Sequence, residues 1–196
     1  MTPIRRISVF SALTIFLCSF TLALSTGAQN YRSQNMSIKI SGTSTLHDWT
    51  INSEAGQMNL TFVMDGDKPT DLSSLNFTIP VNSLKSGKGM MDKNTYKAMK
   101  ASDHKNITFV LTSGTVTPVD ATTYTVKAIG KLTIAGTSKE TDIVATAKMN
   151  ADKSFTINGV KKMKMTEYNV TPPTVMLGTI KTGNDITINY QSKIIK

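Results

Sequence analysis

The side chains that could carry out catalysis or bind a metal are few in this 196-residue chain. Its histidines are His47 and His104, and its single cysteine is Cys18. A three-histidine metal site, a cysteine-based zinc site and a disulfide framework are therefore excluded. We expect neither folding nor ligand binding to need a metal. The alternative is a carboxylate site within residues 65–71, which contain three aspartates.

Ser44, His47 and Asp48 are the residue types of a nucleophile, a base and an orienting acid. Neighbouring residues on a strand point to opposite faces, so His47 and Asp48 are poorly placed for a proton relay. The strand–turn–helix context that exposes a catalytic serine does not surround Ser44. Phosphate-binding loops and dinucleotide glycine motifs do not occur in the sequence. We therefore predict no catalytic residues and a protein that is not an enzyme.

The elements that would position any of these side chains are strands, because apolar and polar residues alternate along most of the chain. Between Met58 and Met64, for example, every second residue is a large apolar one. Turn-forming glycine, asparagine, aspartate and proline residues separate such segments. About eight strands are expected, at residues 38–40 with 49–51, and at 58–64, 75–81, 107–111, 124–134, 143–149, 155–165 and 186–190.

A sheet with one polar face and no long covering helix must close on itself or pack against a second sheet. Closure also removes the exposed edge strands. One segment breaks the alternation: Met91, Thr95 and Met99 recur at helical spacing, which predicts a short amphipathic helix near residues 88–100. This helix could plug one end of a barrel. Repeats and domain-separating linkers are not visible, so a single domain is expected.

The first 28 residues have the three parts of a secretory signal peptide. Two arginines precede an apolar run over residues 7–24, and small residues follow, with Thr26 and Ala28 at the two cleavage positions. We expect cleavage after Ala28 and a single mature domain of residues 29–196, located in the periplasm or secreted. The alternative is an uncleaved membrane anchor, because the run is near the lower length limit for spanning a bilayer.

The charge of the mature domain does not favour nucleic acid as a partner. Without residues 1–28 the chain has 20 basic and 13 acidic residues, a net charge of +7. Arg32 is the only arginine among them, and arginine is the usual residue for recognising phosphates and bases. Lysines spread over an exported domain are typical of a solvated surface. Nucleic-acid binding is therefore not expected.

The apolar faces contain signs of a cavity as well as of a filled core. The mature chain has ten methionines, and methionine adapts its shape to irregular apolar partners. Several inward positions carry small residues, namely Ala128, Gly130, Ala145, Ala147 and Gly159. An eight-stranded barrel is just wide enough to fill itself with side chains or to hold one small ligand. Both interpretations, a ligand-filled and a self-filled barrel, are open at this point.

Four segments, in this order along the chain, carry a resemblance to a known family. They are SGTSTLHDW at 41–49, LNFTIPVNSL at 75–84, NITF at 106–109 and GKLTIAGTSK at 130–139. Over residues 36–194 the chain resembles the YceI-like family, exported lipocalin-like proteins described as polyisoprenoid-binding. It departs from that family around Met91 and Asp92, where an arginine and a histidine often occur. The resemblance implies an all-β fold, an eight-stranded antiparallel lipocalin-like barrel around a long-chain isoprenoid such as a quinone or a polyprenol.

In such a barrel the apolar faces of the strands line the ligand pocket, and the short helix closes one end. Lys161 shares strand parity with apolar residues, which makes it a candidate contact for a polar head group. The alternative is a bulge, or a position at the rim from which the lysine reaches water. The expected ligand-binding residues are Met58, Leu60, Phe62, Leu75, Phe77, Ile79, Met91, Met99, Phe109, Leu132, Lys161, Met163 and Met165.

The main functional hypothesis is a non-enzymatic binding and carrier protein for a long-chain isoprenoid or other amphipathic lipid, held inside the barrel. The first alternative is an exported interaction or structural barrel with a self-filled core. The lesser alternative is an enzyme that acts on a lipid-like substrate. Apart from the lipid ligand, no cofactor is expected. Transient contact with a membrane surface and homodimerisation are left open, as are the identity of the lipid and whether it is stored, transferred or sensed.

Overall fold

A computed structural model describes residues 26–196 of the chain. The predicted signal peptide therefore lies outside the described residues, except for Thr26–Ala28, which begin the first strand. The strands are β1 (Thr26–Ser44), β2 (Trp49–Ser53), β3 (Gln57–Asp65), β4 (Lys68–Pro80), β5 (Asn106–Pro118), β6 (Thr123–Ile134), β7 (Thr137–Met149), β8 (Phe155–Lys164), β9 (Thr174–Val175) and β10 (Ile180–Ile195), and the helix is α1 (Gly89–Ala98).

The strands form one antiparallel sheet that closes into a barrel. β1 is long enough to pair with β3 along Thr26–Arg32 and with β10 along Arg32–Ser44, and the β1–β10 ladder is the closure. β2 pairs with residues 38–42 of β1, and β3 pairs with residues 26–32 of the same strand. These two short strands therefore together occupy one position in the barrel. β9 is a two-residue strand that pairs with the start of β10. The predicted eight-stranded antiparallel barrel is confirmed.

The alternating sequence determines which face of each strand points inward. On β3, Met58, Leu60, Phe62 and Met64 are buried, while Asn59 between them is exposed. β6 and β8 repeat this pattern with their own apolar residues. Because the strand period is two, each strand turns alternate residues towards the barrel axis, and on β3, β6 and β8 most of these residues are apolar. The interior is therefore largely apolar.

One end of the barrel is filled by an aromatic cluster. The ring of Phe155 lies 5.4 Å from that of Tyr31 and 5.5 Å from that of Phe62, in edge-to-face arrangements. Tyr124 packs edge-to-face on the same ring at 6.4 Å. Phe62 and Phe155 are completely buried. Tyr124 and Phe155 lie at the starts of β6 and β8, and Tyr31 and Phe62 lie in the stretch where β1 pairs with β3. The cluster therefore seals the end of the barrel at which β6 and β8 begin.

Helix α1 lies at the opposite end, between β4 and β5, and confirms the predicted short helix. Its first turn is fixed by Asp92, whose carboxylate accepts hydrogen bonds from the backbone and the hydroxyl of Ser86 at 2.7 and 2.6 Å. Further along, the hydroxyl of Tyr96 donates to the backbone carbonyl of Leu84 at 2.9 Å. The helix is thereby tied to the chain that leaves β4. Among residues 26–196, no helix is long and apolar enough to cross a membrane.

Candidate functional site: an apolar cavity in the barrel

The barrel contains a cavity of about 550 Å³. Its size falls within the range of about 300–1,000 Å³ that is usual for ligand pockets. The wall consists almost entirely of apolar side chains from the strands, and α1 and the loops at its end of the barrel form the mouth. The aromatic cluster lies at the other end. The cavity is therefore an apolar tube with one sealed end and one open end.

Twelve of the thirteen residues predicted to contact the ligand line this cavity. Met58 and Leu60 come from β3, and Met91 and Met99 from α1 and its C-terminal cap, so the helix forms part of the wall as expected. Lys161 also borders the cavity. The complete set is Met58, Leu60, Phe62, Leu75, Phe77, Ile79, Met91, Met99, Leu132, Lys161, Met163 and Met165.

Phe109 is the exception, because it is completely buried and lies outside the cavity lining. Its ring stacks on that of Phe77, with the centroids 5.4 Å apart and the planes 9° from parallel. It also occupies the space above Gly130, where a Cβ atom would lie 2.6 Å from the Phe109 ring. Because Gly130 has no side chain, the Phe109 ring packs directly against the backbone of β6. Phe109 therefore supports Phe77, which does face the cavity.

Several residues beyond the predicted ligand contacts also lie on the wall. Residues of the two strands that close the barrel also line the cavity. They are Ile38 and Ile40 of β1 and Ile186 and Ile188 of β10. Their alternation was visible in the sequence, but it did not indicate that these two strands would be neighbours. Met176, in the irregular segment before β10, also reaches the mouth, and no periodic signal predicted its position.

The wall has a polar gap between β7 and β8. The pairing of these strands covers five residue pairs, from Met149–Phe155 to Ala145–Gly159, and ends there. Towards the mouth the two strands separate. Backbone carbonyls of β7 at this level therefore have no partner on β8, and each needs a hydrogen-bond donor other than a backbone amide of that strand.

Two inward side chains supply those donors. The hydroxyl of Tyr190 donates to the carbonyl of Val144 at 2.7 Å. The ammonium of Lys161 donates to the carbonyl of Asp142 at 2.8 Å and to its carboxylate at 3.0 Å. Lys161 thus starts from the inner face, as its strand parity predicted, and turns its charged end into the gap. The tube has one polar stripe in an otherwise apolar wall.

Gly159 makes the Tyr190 contact possible. Tyr190 lies opposite Gly159 across the β8–β10 ladder, and its ring passes over that residue to reach β7. A Cβ atom on Gly159 would lie 2.1 Å from the Tyr190 hydroxyl oxygen, far inside van der Waals contact. Any larger residue at this position would push Tyr190 away from Val144. The glycine is therefore required by the close approach of the phenol ring and not by its backbone angles.

The pKa values of Tyr190 and Asp142 are shifted by the surroundings of this polar stripe. Burial, with a smaller contribution from the nearby Asp142 charge, raises the pKa of Tyr190 to about 12. The Lys161 ammonium, through its hydrogen bond and its charge, lowers the pKa of the Asp142 carboxyl below its usual range. At neutral pH Tyr190 is consequently a donor, and Asp142 is an anion that neutralises Lys161.

We expect Tyr190→Phe to remove one high-pH phenol titration. In a spectrophotometric titration, the difference between the parent protein and this variant should report a pKa of about 12, above the ordinary 10.0. Between these two values the unfolded chain releases the proton and the folded chain keeps it, so this group's contribution to stability falls as pH rises. A difference signal that titrates at the ordinary value would contradict the burial of the hydroxyl.

The residues considered for catalysis form a turn at the mouth. The Ser44 hydroxyl donates to the carbonyl of His47 at 2.7 Å and accepts hydrogen bonds from the backbone amides of Leu46 and His47. A ring nitrogen of His47 lies 2.7 Å from the Asp48 carbonyl and not near the serine hydroxyl. The three side chains do not form a relay. Within residues 26–196, no group of three His, Cys, Asp or Glu side chains could hold a metal ion.

Several solved structures are similar in fold. BcnA from Burkholderia cenocepacia has a TM-score of 0.61 and 21% identity, covering 81% of this chain and 96% of BcnA. A polyisoprenoid binding domain from Saccharophagus degradans, implicated in plant cell wall breakdown, has a TM-score of 0.60 and 11% identity, covering 84% and 97%. A mutant Campylobacter jejuni YCEI protein has a TM-score of 0.51 and 21% identity, covering 70% and 79%.

At these identities the similarity shows the fold alone. A search among curated proteins found no significant sequence match. A family model described as YceI-like domain matches residues 29–194. This match begins in β1 and ends in β10, so it covers the whole barrel together with the helix that forms part of the cavity wall.

Proposed function

The chain belongs to the YceI-like domain family, and on that premise we propose that it is a non-enzymatic binding and carrier protein for a long-chain isoprenoid or similar lipid. The lipid is held in the barrel interior, and the protein works outside the cytoplasm. The observation that carries the proposal is the cavity of about 550 Å³, apolar along its wall, sealed at one end and open at the other. Such a tube accepts an apolar tail and leaves the head group nearer the mouth.

Burial of the tail supplies most of the binding free energy in this proposal. Each buried CH₂ group contributes about 0.8 kcal/mol, and part of the total is offset by loss of ligand motion. A ligand bound mainly through its tail needs few polar contacts, as this wall offers. Met58, Met91 and Met163 on the wall can adapt to the methyl branches of an isoprenoid because methionine is unbranched and flexible.

Two further observations support this ligand class and a role without catalysis. A structural neighbour of this barrel is a polyisoprenoid binding domain. The Ser44 hydroxyl is engaged within its own turn, and the His47 ring contacts a backbone carbonyl. Neither group is arranged to activate a nucleophile.

The direct test is organic extraction of the purified protein followed by mass spectrometry. We expect a stoichiometric lipid with a long branched apolar tail, absent from an unrelated protein purified in the same way. Recovery of no lipid, together with failure of added isoprenoids to bind, would contradict the proposal. The self-filled barrel would then be the better account of the interior.

Lys161 gives a second test, because we propose that it contacts the polar head group. Its ammonium has two hydrogen bonds to Asp142 and therefore one N–H left to donate. Lys161→Met should change relative affinities among lipids with the same tail and different heads by about tenfold, the value of one charged hydrogen bond. Lys162→Met, on the exposed face of β8, is the matched control and should change nothing. Equal effects of both variants, or none, would remove Lys161 from the site.

The export part of the proposal predicts a mature N-terminus at Gln29. This expectation rests on the two arginines, the apolar run of residues 7–24 and the small residues that follow it. Cleavage after Ala28 removes three pairs between β1 and β3 and leaves the pairing of β1 with β10 intact. N-terminal sequencing of the protein recovered from outside the cytoplasm should begin at Gln29. An intact Met1 on protein recovered from the membrane would contradict cleavage.

A further inference from the structure

The rim of the cavity mouth exposes large apolar side chains from three separate segments. Leu46, in the turn between β1 and β2, is 65% exposed, and Met90, at the start of α1, is 70% exposed. Met176 and Leu177, in the turn between β9 and β10, are 72% and 108% exposed. Leu46, Met90 and Met176 also border the cavity. The apolar surface of the tube thus continues outward onto its rim.

The turn between β9 and β10 holds its two apolar residues in an unusual backbone conformation. Met176 and Leu177 have φ values of 53° and 54°, in the left-handed region, and Gly178 follows at 89°. Left-handed backbone is unfavourable for large side chains and is most often retained where function requires it. The turn is also braced, because the start of β10 is hydrogen-bonded to Thr45 through Lys181. The Leu177 side chain in this strained turn points into solvent, where it makes no contribution to the core.

The same end of the barrel carries positive charge. The helix and its flanking segments, residues 85–105, contain six lysines and two aspartates, a net charge of +4. All six lysine side chains are exposed. They are Lys85, Lys88, Lys93, Lys97, Lys100 and Lys105. A cationic surface next to protruding apolar side chains is the combination that attracts a protein to an anionic bilayer and then anchors it.

We propose that the mouth of the barrel docks on an anionic lipid bilayer, with Met176 and Leu177 inserted among the lipids and the lysines of residues 85–105 against the head groups. This orientation opens the tube directly onto the membrane. The inference rests on the proposed function in one respect, which is that the cavity exchanges an apolar ligand through this mouth.

A bilayer fits these observations better than a protein partner. The exposed apolar residues protrude from three segments around the opening of the cavity, where a docked partner faces the cavity itself. A protein seated over the rim would also close the exit of the cavity. A bilayer requires no matching shape, and it is itself a source or acceptor for a lipid.

The first experiment places a tryptophan reporter at the tip, the exposed turn that contains Met176 and Leu177. Leu177→Trp and Val119→Trp are each compared with the parent protein, which contains Trp49 as background, on vesicles with anionic and brominated lipids. Val119, in the turn between β5 and β6, is 64% exposed at the sealed end and is the matched control. We expect the bromine atoms to quench the L177W indole and not the V119W indole. Equal quenching of both, or of neither, would overturn the proposed orientation.

The second experiment removes the apolar tip. Met176→Ser combined with Leu177→Ser should weaken binding to anionic vesicles about tenfold, and Val119→Ser should leave it unchanged. Binding should also fall as salt rises, because salt screens the lysines. Equal binding to purely zwitterionic vesicles would overturn the choice of an anionic surface. A blue-shifted L177W emission without vesicles, in a protein that sediments as a dimer, would assign the tip to a second copy of the chain.

These outcomes are distinguishable from a failure of the proposed function. Extraction and mass spectrometry report what occupies the cavity, whereas quenching reports where the tip lies. An empty cavity with a quenched tip would contradict the carrier function and leave membrane docking standing. A lipid-filled cavity with an unquenched tip would support the carrier function and contradict membrane docking.

Discussion

Ile188→Trp is expected to abolish binding of a long-chain lipid while leaving the barrel folded. Ile188 lines the cavity from β10, and its side chain is only partly buried because it borders open volume. An indole at this position extends into the tube and blocks it. Since the added ring fills empty space and does not displace packed neighbours, we expect little overpacking strain.

The size of the effect follows from the length of tail that is excluded. A ring that keeps about five CH₂ groups out of the tube removes about 4 kcal/mol of burial free energy, which is close to a thousandfold in affinity. Phe77→Trp narrows the tube from β4, a different part of the wall, and should lower affinity for the long-chain lipid as well. Affinity is measured by titration with a long-chain isoprenoid and with a short one, which should be less affected.

The matched control is Asn189→Trp, the next residue on the outer, exposed face of β10. It introduces the same ring on the same strand without entering the cavity, and it should leave affinity unchanged. The contrary result is also specific. If Ile188→Trp instead lowers stability by about 1–3 kcal/mol and the parent protein contains no lipid, the interior is a filled core and the carrier proposal is wrong.

The fold was largely predictable because a barrel depends on strand alternation, and alternation is written directly in the sequence. The period of β3, β6 and β8 determined which of their residues are buried, and the resemblance carried by four short segments was confirmed by the family match over residues 29–194. The apolar set on these strands could be named in advance for the same reason. Period two identifies the inner face without any knowledge of strand order.

What could not be predicted depends on contacts between neighbouring strands, or on irregular turns, and not on the alternation within one strand. Whether Phe109 faces the cavity or the wall depends on the missing side chain of Gly130, which lies on the neighbouring strand. The direction of the Lys161 ammonium depends on where the β7–β8 ladder ends. The exposed tip at Met176 lies in an irregular turn that has no periodicity. In each case the sequence gives the residue type but not the neighbour that decides its orientation.

Phe155→Ala should cause the largest loss of stability and also lengthen the tube. Phe155 is completely buried and makes edge-to-face contacts with Tyr31, Phe62 and Tyr124. Truncation of a core phenylalanine costs about 3–5 kcal/mol. For a protein of this size, each kcal/mol lowers the melting temperature by about 2–4 °C. Thermal and denaturant unfolding measure this loss, and Val160→Ala, 55% exposed on the same strand, should stay within about 0.5 kcal/mol of the parent protein.

The functional consequence follows from the position of the ring. The aromatic cluster is the floor of the tube, so removal of its central ring creates space at the sealed end into which a longer tail can extend. We therefore expect mass spectrometry of lipids bound from a mixture of chain lengths to shift towards longer tails in Phe155→Ala, and a long-chain ligand to restore part of the lost stability because it binds only the folded state. A large loss of stability with an unchanged chain-length distribution would mean that the cluster supports the barrel without setting the depth of the site. The head-group end would then have to determine which tails are accepted.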